Sequence, residues 1–259
     1  METKNEQNDQ FEVHEVEVVS GRPSKGVFLL PNLITTGALF AGFYAIVSAV
    51  SGEFVFAAMA ILAAGILDGI DGSVARLTNT QSKFGAEYDS LSDSVAFGVA
   101  PGLVAYVWAL SDLGNVGWAA AFLYVACAAL RLARFNVEAD GADHRFFTGL
   151  ASPAAAGLVA TFVWLGASRG WNGEQFEYVM VLVLAIAGLL MVSPIKYHSF
   201  KEFRVGRVPF RVLLGAIVAL AVIFLDPPLV LLVVAISYVV SGPLFSVGLL
   251  PFKKKMAAK

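Results

Sequence analysis

Eight runs of about 20 mainly apolar residues, parted by short polar breaks, constrain this chain more than any other feature. At roughly 1.5 Å per residue, a helix of that length spans the hydrocarbon core of a bilayer, about 30 Å thick. The runs lie near 27–50, 54–73, 90–110, 116–136, 150–167, 176–195, 209–225 and 228–249. The breaks read SGE at 51–53, SDLGN at 111–115, SRGWNGE at 168–174 and DPP at 226–228, all rich in turn-forming residues. Composition agrees: 58% of the 259 residues are hydrophobic and 15% charged, against about 45–50% and about 25% in a soluble domain. A soluble fold around one large core is thereby excluded. The expected fold is an all-α integral membrane protein, polytopic, with about eight transmembrane helices. One membrane domain would occupy 25–250, between a polar tail at 1–24 and a basic tail at 251–259.

Basic residues orient such a bundle, because loops rich in Lys and Arg stay on the cytoplasmic side. With eight crossings, every one of the 18 Lys and Arg residues except Arg169 falls on a single side. Both termini are therefore expected to be cytoplasmic, together with the junction of the second and third runs. The first 20 residues show no basic stretch leading into an apolar one, so no cleavable signal peptide is expected. The alternation FEVHEVEVV at 11–19 belongs to a tail too polar to bury a core, and PFKKKMAAK at 251–259 suits an anionic leaflet surface. A net charge of −2 gives no field that would gather nucleic acid. The single cysteine, Cys127, lies in an apolar run and reads as helix packing, with neither a disulfide nor a thiolate metal site in prospect. His14, His144 and His198 read as solvated loop residues.

One stretch breaks the oily pattern: LDGIDGSVARLTNTQSKFGAEYDSLSDSVAFGV, residues 67–99. Ionised side chains at membrane depth cost several kcal/mol and mark function when they occur. At 100° per residue, Asp68, Asp71, Gly72, Ala75 and Arg76 share one helix face. After the connector LTNTQSKF, the next helix presents Gly85, Asp89 and Asp93 four residues apart, again on one face. A short connector makes the two helices antiparallel neighbours, so their carboxylates converge. Converging carboxylates repel unless a cation neutralises them, and an all-oxygen set without His or Cys suits Mg²⁺, Mn²⁺ or Ca²⁺ and not zinc. Gly72 and Gly85 leave room for a bulky group to approach the backbone, and Arg76 offers a bidentate fork to phosphate oxygens. The chemistry these groups support is a metal-assisted phosphoryl-type transfer at the cytoplasmic boundary, with two ions per site and an aspartate as general base. Asp93, furthest along the second helix, is the natural base. A cation transporter using the aspartates as its pathway is the competing class.

The spacing Asp68-x2-Asp71-Gly72-x2-Ala75-Arg76-x8-Gly85-x3-Asp89-x3-Asp93 resembles the signature of the CDP-alcohol phosphatidyltransferases at all eight positions. The resemblance implies a membrane enzyme in which an acceptor hydroxyl displaces CMP from a CDP-linked donor. It implies Asp68, Asp71, Asp89 and Asp93 as metal ligands, with Asp93 also the catalytic base. Gly72, Ala75 and Gly85 would line the nucleotide pocket, and Arg76 would meet the diphosphate. The blocks SKFGAEYDSLSDSVAFGVAPGLVAY, ALRLARFN at 129–136, FTGLASPAAAG at 147–157 and PNLITTGALFAGFYAIV at 31–47 are similar to the bacterial branch that takes serine as acceptor. Gly37 and Ala151 stand where that branch commonly has asparagine and proline. CDP-diacylglycerol and L-serine are then the expected substrates, the bacterial cytoplasmic (inner) membrane the expected location, its lipid the expected partner, and a homodimer the expected assembly. A serine carboxylate needs a cation, for which Arg131 and Arg134 at the cytoplasmic end of the fourth run are the acceptor-binding residues to test. Asn136 and the 147–153 segment are weaker rim residues. Choline, inositol and glycerol phosphate stay open as acceptors; choline would call for an aromatic cage, with Tyr88, Phe97, Tyr106 and Trp108 available.

Overall fold

Each apolar run forms a helix, since a backbone surrounded by lipid must satisfy its own hydrogen bonds. The computed structural model describes residues 29–78, 80, 82–138, 146–198 and 210–246. Both tails, His14, His144 and the basic residues at 201–207 lie outside the described residues. Helix α1 covers Leu29–Val50 and α2 covers Phe54–Thr78. A continuous rod follows: α3 (Lys83–Asp93), a π-helical stretch Ser94–Val99, α4 (Ala100–Ala105), a second π-helical stretch Tyr106–Leu110 and a 3₁₀ turn at Ser111–Leu113. Then come α5 (Asn115–Glu138), strand β1 (Phe146–Thr148), α6 (Ser152–Ser168), a 3₁₀ turn Gly173–Phe176, α7 (Glu177–Val192), strand β2 (Lys196–His198), α8 (Phe210–Leu225) and α9 (Pro227–Ser246).

Among the described residues six helices are long and apolar enough to cross a membrane: Leu30–Val50, Phe54–Thr78, Lys83–Leu113, Asn115–Val137, Gly173–Val192 and Pro227–Ser246. The chain is thus a multi-pass membrane protein. Two further apolar helices, Ser152–Ser168 and Val212–Leu225, fall short of that length. The third span starts at Lys83 and not near residue 90, because KFGAEYDSLSD is too polar for a hydropathy window to include. Its start is fixed by Ser82, whose side chain accepts from the Gly85 N–H at 3.0 Å as an N-cap.

Small residues let the helices approach closely, the usual device where lipid supplies no hydrophobic drive between helices. On α1, Ala38, Gly42, Ala45 and Ala49 form a buried stripe. A Cβ on Gly42 would stand 2.7 Å from the Ala96 Cα of the first π stretch. On α2, Ala57, Ala58, Ala60, Ile61 and Ala64 are buried in the same core. Helix α2 packs on α1 and α6, α5 on α7, and α6 on α9, whereas α8 lies chiefly against α9.

Helix irregularity is also repaired between helices. Pro101 has no N–H to offer the carbonyl four residues earlier, that of Phe97. The buried Tyr124 hydroxyl, on α5, donates to that oxygen at 3.0 Å. At one end of the bundle β1 and β2 pair antiparallel, with Phe147 opposite Tyr197. Gly149, at φ 83°, turns the chain from this ribbon into α6, and its N–H donates to the Ile195 carbonyl at 2.7 Å. Tyr197 is fully buried and donates to the Val239 carbonyl of α9 at 3.0 Å. Burial, with Tyr238 beside it, pushes the Tyr197 phenol up to about 12, so the hydroxyl keeps the proton this bond needs. The residue before α6, Ala151, has φ −64°, the value proline would impose, so alanine there leaves the backbone path unchanged.

Candidate active site

The last turns of α2 and the first turns of α3 meet across the connector, as their spacing predicts, and α1 closes the third side. One carboxylate oxygen from each of Asp68, Asp71 and Asp89 lies within 4.8 Å of the others. Asp71 is 4% exposed, while Asp68 and Asp89 are half-buried. Three carboxylates this close, one buried, carry a repulsion and a desolvation cost that a shared divalent cation offsets. The donor set is all oxygen, so it fits a hard ion such as Mg²⁺ or Mn²⁺. Asp93 is not one of this trio, but its carboxylate is within electrostatic reach of Asp68, Asp89 and Asp71, with Arg131 opposing them.

Beside the trio opens a cavity of about 250 Å³. Its walls include Asp71, Gly72, Ala75 and Arg76 of α2, Gly85 and Asp89 of α3, and Pro31, Asn32 and Thr35 of α1. Six of the eight signature residues therefore line one space; Asp68 joins two of them in the trio, and Asp93 lies within electrostatic reach of that trio. The two signature glycines differ. A Cβ on Gly72 would meet only the Arg76 guanidinium, at 3.6 Å, so the glycine leaves open space in the cavity. A Cβ on Gly85 would crowd Ser82 Oγ at 3.1 Å and Asn32 Oδ1 at 3.4 Å, so this glycine also keeps α3 close to α1.

Of the two arginines singled out on α5, Arg131 turns toward the bundle and Arg134 is exposed. Arg131 Nη1 donates to Ser152 Oγ at 2.8 Å, and Ser152 is fully buried at the start of α6. Its Nε is buried without a hydrogen-bond partner. The Arg131 charge is set against Asp93 and Asp68. Asn136 pairs with Ser90 of α3, Nδ2 to Oγ at 3.0 Å, which ties the end of α5 to the carboxylate helix. Three of the four aromatics considered for a cage lie apart. Phe97 is buried in the core, Trp108 packs on Phe162 and Phe176 toward the other end of the rod, and Tyr88 shares a 2.9 Å hydrogen bond with Thr36.

Residues 28–192 match the CDP-alcohol phosphatidyltransferase family. The chain belongs to this family. A CDP-diacylglycerol–serine O-phosphatidyltransferase of Helicobacter pylori (strain ATCC 700392 / 26695) is 40% identical over 205 residues, covering 79% of this chain and 85% of the relative. A protein of the same name from Mycobacterium bovis is 38% identical over 238 residues, 86% of this chain and 80% of its own. An archaetidylserine synthase of Methanothermobacter thermautotrophicus is 34% identical over 170 residues, 65% and 69% of the two chains. The chain is accordingly a transferase of phospholipid biosynthesis, a phosphatidyltransferase, and its carboxylate trio lies within the matched region.

Several residues lining this cavity escaped the sequence reading. Pro31, Asn32 and Thr35 come from α1, and Thr80, Ser82 and Ala86 from the connector and the start of α3. The N-cap character of Ser82, a serine just before a helix, was the one local signal available. For the α1 residues periodicity offered nothing, because they sit where an apolar helix happens to pass the carboxylates.

Proposed function

We propose that the chain transfers the phosphatidyl group of CDP-diacylglycerol to L-serine, forming phosphatidylserine and CMP, in a reaction that needs Mn²⁺ or Mg²⁺. The observation that carries the reading is the convergence of Asp68, Asp71 and Asp89 beside a cavity that also holds Arg76 and the open backbone of Gly72. Asp68, Asp71 and Asp89, joined by Asp93, would hold two such ions, which supply charge neutralisation for the diphosphate and the departing CMP. Gly72, Ala75 and Gly85 admit the nucleotide, and Arg76 binds diphosphate oxygens. Asp93 accepts the proton of the serine hydroxyl as its oxygen bonds to the phosphorus bearing the diacylglycerol. The bond from that phosphorus to the bridging oxygen breaks, and the electron pair leaves with CMP. Arg131, steadied by Ser152 and with an Nε still to be satisfied, receives the serine carboxylate, with Arg134 at the rim.

Serine as acceptor is supported by the names of relatives that align with most of this chain. The separate placement of Tyr88, Phe97 and Trp108 lends choline no support. The distribution of Lys and Arg supports eight crossings with both termini and the site at the cytoplasmic face of the inner membrane. On that reading α6 and α8 complete the count as short crossings, and the family resemblance supports a homodimer. The test offers radiolabelled serine, choline, inositol and glycerol phosphate in turn, with CDP-diacylglycerol and metal. Label is expected in lipid from serine alone, with one CMP released per lipid formed. Lipid labelled from another acceptor and not from serine would overturn the acceptor assignment.

A further inference from the structure

One residue outside the aspartate signature bonds to both carboxylate-bearing helices. Thr35 is 4% exposed and sits on α1, one turn beyond Pro31. Its Oγ1 donates to Asp71 Oδ2 on α2 at 2.8 Å, and its carbonyl accepts from Ser92 Oγ on α3 at 3.1 Å. Ser92 is itself 1% exposed and directly precedes Asp93. A hydroxyl has one proton to give, and the Thr35 hydroxyl also lies 3.1 Å from the Pro31 carbonyl, the local bond a helical threonine ordinarily makes. The shorter contact goes to the carboxylate, because a charged acceptor makes the stronger bond. Asp71 is the most buried carboxylate of the trio, so the orientation of its oxygens depends on such a partner.

We propose that Thr35 is a positioning residue for the phosphatidyl transfer, holding the Asp71 carboxylate in the orientation in which Asp68, Asp71 and Asp89 share a divalent cation. The inference rests on the metal reading given above. Partners that hydrogen-bond a ligating side chain fix its orientation, and losing one costs about 10–100-fold in metal affinity or activity. Thr35 also fixes α1 against α3 through Ser92, so a single residue sets the spacing between the two carboxylate-bearing helices.

Thermal unfolding of the full-length protein during a Mn²⁺ titration reads metal binding without turnover. Thr35→Val keeps the shape and removes the hydroxyl; it is expected to need about 10–100-fold more Mn²⁺ for half of the stabilisation. Thr35→Ser, which restores the donor, is expected to recover most of that loss. Thr36→Val is the control, since the Thr36 hydroxyl pairs with Tyr88 and the Asn32 carbonyl and touches no carboxylate; its midpoint stays at the wild-type value. A Thr35→Val midpoint equal to wild type overturns the positioning role and leaves the metal site intact. Wild-type protein that ignores Mn²⁺ overturns the metal reading and this inference with it. If Thr35→Val does not fold, Ser92→Ala tests the same linkage from α3: a raised midpoint supports it, and an unchanged one overturns it.

Discussion

The two ends of the helix bundle treat charge in opposite ways. At one end Asp71 is 4% exposed, bonded to Thr35, and gathered with Asp68 and Asp89 around a common point, with Arg131 and Ser152 nearby. At the other end Arg169 and Asp226 form an ion pair whose side chains are 51% and 27% exposed. In the first group Asp71 has been taken out of water and is bonded to a neighbouring helix, a cost that a bound cation would offset. The second stays at the surface, where a pair is worth about 0–1 kcal/mol. Burial therefore separates Asp71 from the Arg169–Asp226 pair, which joins the end of α6 to the α8–α9 turn at the surface.

Substitutions at each end test that contrast. Asp71→Asn should give the largest effect: it keeps the shape, removes a charge from the trio, and is expected to lower lipid labelling by about 100-fold or more, at or beyond the upper range for loss of a ligand's own partner. Labelling within tenfold of wild type would place the metal elsewhere. Arg131→Lys keeps the charge but loses the planar fork. The serine KM is expected to rise about tenfold, equivalent to about 1.4 kcal/mol, with the CDP-diacylglycerol KM little changed. A shift confined to the lipid substrate would move Arg131 to the donor side.

Between the two ends, Gly42→Ala probes packing alone. Its Cβ would press on the Ala96 backbone, so a loss of about 1–3 kcal/mol and a Tm lower by roughly 2–10 °C are expected. An unchanged Tm would mean that α1 shifts freely against the first π stretch. Arg169→Ala should do least, changing stability by less than about 1 kcal/mol and leaving labelling intact. A large loss of activity from it would erase the contrast between the ends.

Legibility in the sequence followed the same division. The apolar helices and the shared face of Asp68, Asp71 and Arg76 could be read because hydropathy and the 100° step of a helix are local properties, though two of the eight expected spans are helices short of the length of the other six. That Asp89 meets them followed from a connector too short to allow anything but antiparallel neighbours. Thr35 could not be read, since its role depends on which residue of α1 passes Asp71, a matter of helix packing and not of spacing along the chain. The π stretch after Asp93 was equally hidden: Pro101 suggests a break, but the Tyr124 hydroxyl that answers it lies 27 residues from Phe97. Arg131 and Arg134 looked equivalent in sequence, and the structure distinguishes them by the Arg131 bond to Ser152 at the start of α6 and by the exposure of Arg134.

The most direct test of the central claim is metal removal and return on the purified, full-length protein, read as CMP release from CDP-diacylglycerol with serine. Chelation is expected to abolish release, and Mn²⁺ or Mg²⁺ to restore it in wild type but not in Asp71→Asn. Release that persists after chelation, or that the ion restores equally in Asp71→Asn, would contradict the assignment of the carboxylate trio as the metal site of the reaction.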